Sequence, residues 1–97
     1  MSIHPTAIID RSAELGSGVL VGPYCIIGPC VQIANDTVLD SHVHIYGYTS
    51  IGEQCRFYSF VSAGSDPQDL KYKGETTHLR IGNRNVIREF ATLNRGT

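Results

Sequence analysis

From Ile3 onward the chain reads in sixes. The first slot of each hexad holds Ile3, Ile9, Leu15, Val21, Ile27, Ile33, Leu39, Ile45 and Ile51 without a miss. Phe57 and Ala63 extend it, and Ile81, Ile87 and Leu93 resume it in the same phase. Ile, Leu and Val supply 23 of the 97 residues, so chance would fill about 3 of these 14 slots; 12 are filled. The fifth slot is small: Ala7, Ala13, Val19, Cys25, Val31, Thr37, Val43, Thr49, Cys55, Val61 and Ala91, with Asn85 as the departure. Six of the ten glycines occupy the second slot. A repeat this regular decides the architecture before any local signal is weighed.

A period of six suits strands. The fifth slot and the next first slot are two residues apart, so in an extended chain both side chains point to one side. Each hexad then becomes a short strand and a corner, and the second-slot glycines are expected to take positive φ there. Three corners close a triangular coil of about 18 residues, and coils stack at the strand spacing of about 4.8 Å. Hairpins fit poorly, because their turn signals recur every 8–12 residues. The expectation is all-β: a parallel β-helix of about five coils. Pro5, Pro23 and Pro29 fall at corners, where a missing N–H costs no ladder bond.

The residues between the inward pairs sort into three outward faces. One carries Ile8, Ile26, His44 and Ser62, a second Glu14, Gln32 and Ser50, and a third Leu20, Val38 and Arg56. Two faces thus show aliphatics to solvent, the usual mark of an interface. The hexads fail between Ala63 and Ile81. If twelve residues loop out, roughly Ser65 to Thr76, then Leu79, Arg80 and Ile81 form the next strand of the polar face. One external loop near 65–76 is therefore expected. Asn85, in an inward slot, needs a hydrogen-bond partner.

Composition narrows the partners. Net charge is −1 at neutral pH, with no basic stripe for nucleic acid. No apolar run approaches the ~18 residues of a membrane span, and no signal peptide precedes the first hexad, so a cytoplasmic protein is expected. Three cysteines without CxxC spacing fit a reducing compartment. His42 and His44 lack the third converging ligand that zinc needs, and His4 and His78 stand alone. No metal and no cofactor is expected. The solenoid stops at Thr97 in mid-hexad without a cap, so a single domain over 1–97, truncated at its C-terminal end, is expected.

HPTAIID at the start, VGPYCIIGP and DTVLDSHVHIYGYTSIG in the middle, QDLKYKGE in the interruption and IGNRNVIREFATLNRGT at the end resemble the hexapeptide-repeat acyltransferases. The match is to the UDP-N-acetylglucosamine O-acyltransferases of lipid A biosynthesis, in their N-terminal part. The resemblance implies a left-handed β-helix and a homotrimer. It implies transfer of a 3-hydroxyacyl chain from acyl carrier protein to the 3-hydroxyl of UDP-N-acetylglucosamine. It also makes Gln68, Asp69, Leu70, Lys71 and Tyr72 substrate-binding, with Asp69 and Lys71 on the sugar-nucleotide side, and adds Asn94 and Arg95. Asn94 stands where some members carry a histidine; an amide can position a hydroxyl or carbonyl but cannot take a proton. The family's catalytic histidine would lie beyond this chain, so no catalytic residue is assigned and the chain alone is expected to be inactive. Alternatives are a structural or ice-binding solenoid, or another hexapeptide enzyme such as an acetyltransferase or anhydrase. The outward slots lack threonine arrays, and QDLKYKGE argues against the other enzymes.

Overall fold

The computed structural model describes residues 1–65 and 78–94. Among the described residues there is no helix. The lower strands are β1 (Ser2–Ile3), β2 (Ile8–Ile9), β3 (Glu14–Leu15), β4 (Leu20–Val21), β5 (Ile26–Ile27), β6 (Gln32–Ile33) and β7 (Val38–Leu39). Above them come β8 (His44–Ile45), β9 (Thr49–Ile51), β10 (Arg56–Phe57), β11 (Ser62–Ser65), β12 (Leu79–Ile81), β13 (Val86–Ile87) and β14 (Thr92–Asn94).

Every third strand pairs in parallel, giving three sheets. Sheet one runs β1-β4-β7-β10-β13, sheet two β2-β5-β8-β11-β14 and sheet three β3-β6-β9-β12. This is the expected β-helix. Gln32 pairs with Ser50, whereas Leu79 pairs with Thr49 and Arg80 with Ser50. The register therefore gains twelve residues between β11 and β12, as counted from the hexads. Ser65 corrects the expected loop boundary: it is the last residue of β11 and pairs with Asn94.

First-slot side chains stack into apolar columns, such as Ile9, Ile27 and Ile45 in sheet two and Val21, Leu39 and Phe57 in sheet one. Phe57 is the largest fully buried side chain. Small fifth-slot residues fill the corners beside them, because a triangular section leaves little room there. The polar ones are satisfied. Cys25 Sγ donates to the Asp40 carbonyl at 2.9 Å, Thr37 Oγ1 to Gly52 at 2.8 Å, and Cys55 Sγ to Gly82 at 3.0 Å. Each reaches the second-slot carbonyl of the coil above. Asn85 departs from the expected burial: it is exposed, with its Nδ2 donating to Gly82 O at 3.0 Å.

Of the second-slot glycines only Gly64 has positive φ. Elsewhere it falls in the fourth slot, on Tyr24, Cys30, Asp36, His42, Tyr48, Gln54, Phe60, Arg84 and Phe90, and on Gly18. For non-glycine residues this conformation costs roughly 1–2 kcal/mol each. It turns the N–H toward the coil beneath: His42 N donates to Pro23 O at 3.0 Å, Tyr48 N to Pro29 O at 3.1 Å and Gln54 N to Asn35 O at 3.0 Å. In the lowest coil Thr6 Oγ1 and Ser12 Oγ take over as acceptors, each at 2.9 Å from the N–H of Tyr24 and Cys30. The second-slot glycines serve close approach instead. A Cβ at Gly22 would lie 2.9 Å from the Asp40 carbonyl carbon, and one at Gly52 would lie 2.7 Å from that of Gly82.

The corner between sheets one and two carries stacked rings. Tyr24 lies on His42 with centroids 5.2 Å apart, His42 on Phe60 at 4.8 Å, and Phe60 on Phe90 at 5.5 Å. Beside them Arg56 pairs with Asp40 at 2.9 Å, and the guanidiniums of Arg56 and Arg88 lie 4.9 and 4.2 Å from the Tyr58 ring centroid. The sheets meeting at this corner are the apolar ones: Ile8 is 65% exposed and Val86 58%, with Leu20 and Ile26 also open, while Val38 is half-buried.

Candidate functional site

The second corner, between sheets two and three, is where the register gains its twelve residues. Gly64 ends the regular run there with φ +90°, and a Cβ would collide with Thr49 Oγ1. Here positive φ and lack of space both demand glycine. The bend produces a bulge: Ala63 pairs with Leu93, but Ser65 rather than Gly64 pairs with Asn94. As a result two polar side chains meet. Ser65 Oγ donates to Asn94 Oδ1 at 2.6 Å, both residues half-buried.

One coil below, His44 stacks on Tyr46 with ring centroids 3.9 Å apart and planes 10° from parallel. Burial holds the His44 imidazole below its ordinary pKa, which favours the neutral form. On the returning side Leu79 N donates to Tyr48 O at 3.2 Å, and the His78 ring meets Tyr48 edge-on at 5.8 Å. Gly64, Ser65, Asn94 and the two His–Tyr pairs thus belong to neighbouring coils around one corner.

Sheet three adjoins this corner with the polar face. Glu14, Gln32, Ser50 and Arg80 are in register up the sheet, and Gln32 Nε2 donates to Glu14 Oε1 at 3.1 Å. Shallow depressions of about 390 and 340 Å³ follow this face and share Gln32, Ser50 and Ile51. An acid at one end and a guanidinium at the other give it opposite charges along its length.

Of the residues singled out from the sequence, Asn94 is placed at the bulge. Gln68, Asp69, Leu70, Lys71, Tyr72 and Arg95 lie outside the described residues. Ser65 was missed: a serine at the end of a hexad run carries no signal of its own, and its neighbour Gly64 looked like the other second-slot glycines. Among the described residues no cluster of three His, Cys, Asp or Glu could hold a metal ion. His4 is hydrogen-bonded to Thr6 at 2.9 Å, and His42 is stacked between Tyr24 and Phe60. The described chemistry at the corner is neutral hydrogen bonding beside a desolvated imidazole. Among the described residues no helix is long and apolar enough to cross a membrane.

No protein-family model matches the chain. It is 50% identical over 95 residues to the acyl-[acyl-carrier-protein]–UDP-N-acetylglucosamine O-acyltransferase of Thermodesulfovibrio yellowstonii, spanning 98% of this chain and 37% of that protein. The crystal structure of LpxA from Acinetobacter baumannii matches with a TM-score of 0.98 at 56% identity, over all of this chain and 38% of that one. LpxA from Moraxella catarrhalis, a UDP-N-acetylglucosamine O-acyltransferase, matches at 0.97 and 55%, again over all of this chain and 38% of that one. The chain therefore spans little more than a third of the length of the relatives it matches. Over that third it has the sequence and the left-handed parallel β-helix of the UDP-N-acetylglucosamine O-acyltransferases.

Proposed function

We propose that this chain supplies the sugar-nucleotide side of an acyltransferase that moves a 3-hydroxyacyl group from acyl carrier protein to the 3-hydroxyl of UDP-N-acetylglucosamine. The observation that carries this reading is the 50–56% identity to named O-acyltransferases in alignments that cover 98–100% of the chain. Asp69 and Lys71 in that interruption engage the nucleotide sugar, with Gln68, Leu70, Tyr72, Asn94 and Arg95 around it. Transfer needs a base within about 3 Å of the sugar hydroxyl, directly or through one water. Asn94 cannot be that base, because an amide takes no proton at neutral pH. By the resemblance the base comes from outside these 97 residues, and the place of work is the cytoplasm, where acyl carrier protein and nucleotide sugars meet.

The test incubates the 97-residue chain with 3-hydroxyacyl carrier protein and UDP-N-acetylglucosamine and follows product by mass spectrometry. Binding of the nucleotide sugar with no turnover is the expected result. Turnover abolished by replacing one of the four histidines would overturn the assignment of the base.

The working assembly is a homotrimer packed through sheets one and two. Exposed Ile8, Ile26, Leu20 and Val86 support it, since two open apolar faces flanking one corner suit closure around a three-fold axis. Charged substitutions at Ile26 and Val38 should shift sedimentation toward monomer; wild-type protein sedimenting as monomer at tens of micromolar would refute it.

A further inference from the structure

We infer that Ser65 is a positioning residue for the nucleotide sugar, acting through Asn94. The inference rests on the proposed function and adds to it a residue and a chemical role. A primary amide offers an acceptor on one side and two donors on the other, and the two ends have nearly the same shape. Left to itself the Asn94 side chain can present either end to a ligand. In the structure the Ser65 hydroxyl holds one of these arrangements: it donates to Oδ1 at 2.6 Å, so Nδ2 and its two hydrogens occupy the opposite side. The site thus offers donors to an acceptor oxygen on the ligand, a hydroxyl, carbonyl or phosphate oxygen, without any proton changing hands.

The backbone makes this orientation robust. Ser65 and Asn94 are brought opposite each other only because the pairing skips Gly64. Gly64 in turn sits at φ +90° close against Thr49, where any side chain would collide with Thr49 Oγ1, so the bend depends on glycine. Both residues are half-buried, which limits competition from water for the short bond. Ser65 is also the last described residue before the segment that carries Asp69 and Lys71. Asn94 is thereby tied to the strand from which that segment departs.

The experiment uses the 97-residue chain, labelled with ¹⁵N, and titrates UDP-N-acetylglucosamine while following the Asn94 side-chain amide signals. The expected result is that these signals shift on saturation. Ser65→Ala should weaken binding about fivefold, the loss typical of one positioning hydrogen bond, and Ser65→Thr should restore it. Asn94→Asp keeps an acceptor for Ser65 but replaces the donors facing the ligand, and should weaken binding more than tenfold. The backbone amide spectrum reports whether each variant stays folded; Ser65→Ala against Ser65→Thr tests the serine, and Asn94→Asp tests the amide it orients. Folded Ser65→Ala binding as tightly as wild type, unmoved Asn94 signals with wild-type binding intact, or Asn94→Asp binding as tightly as wild type, would overturn the inference and leave the proposed function standing. Failure of the wild-type chain to bind at millimolar ligand would overturn both.

Discussion

Two corners of the same prism are built to different ends. At the first, each coil copies the one beneath it: Tyr24, His42, Phe60 and Phe90 all adopt positive φ and pile their rings in one column. At the second, the copying runs through Cys30 and Tyr48 and then breaks at Gly64. Strict repetition places like side chains over like, so the first corner can stack rings and little else. The break frees the second from that rule and lets unlike groups, Ser65 and Asn94, face each other. Repetition supplies rigidity, and its interruption lets unlike polar groups meet.

The contrast can be broken hardest at Gly64. Gly64→Ala should cost about 2–3 kcal/mol, since strain and collision with Thr49 act together. Gly18→Ala at the third corner has positive φ but meets only the movable Asp36 side chain, and should cost about 1 kcal/mol. Urea unfolding of both variants measures the difference; equal costs would remove the special status of the second corner. The first corner is tested by Phe60→Ala, which deletes two ring contacts and should cost about 1–2 kcal/mol. Gln54→Ala, at the same slot of the unstacked third corner, should stay within about 0.5 kcal/mol.

The smallest effect expected is on pH dependence. Burial lowers the folded-state pKa of His44 from the ordinary 6.5. The unfolded chain therefore takes up this proton first on acidification, so stability falls as pH drops from about 6.5 to the folded pKa and levels off below it. His44→Gln should flatten that stretch of the curve. The further loss below pH 3.8 remains, because Asp10, its carboxyl lowered first by the Ser12 hydroxyl and then by the Ser12 N–H, is untouched. An unchanged slope near pH 6 in His44→Gln would show that the imidazole is no less hydrated than in the unfolded chain.

Much of this was legible in the hexads. The inward pairs, the three outward faces and the twelve-residue gain all follow from period and phase, because a strand side chain has only two directions to choose from. The turn chemistry was not legible. Glycine usually advertises positive φ, yet here, Gly18 and Gly64 apart, it marks contact between coils, while Tyr, Phe, His, Arg and Gln carry most of the left-handed positions. Local propensity cannot reveal that, because the reward is a hydrogen bond and a ring contact 18 residues away. Asn94 was singled out by resemblance, and the structure adds its bond to Ser65. That partner was not legible, since nothing in AGSDPQ says that the pairing skips one residue.

The interior donors have a practical corollary in reagent chemistry. Thiols react as thiolates, and burial pushes the Cys25 thiol up from its ordinary range while its proton is held by the Asp40 carbonyl. Cys55 is equally enclosed, and Cys30 alone of the three is exposed. A maleimide should therefore mark Cys30 within its ordinary reaction time and the other two only when their coils open. Modification of Cys25 and Cys55 becomes a pair of clocks, one low in the stack and one higher, showing by mass which coil comes apart first.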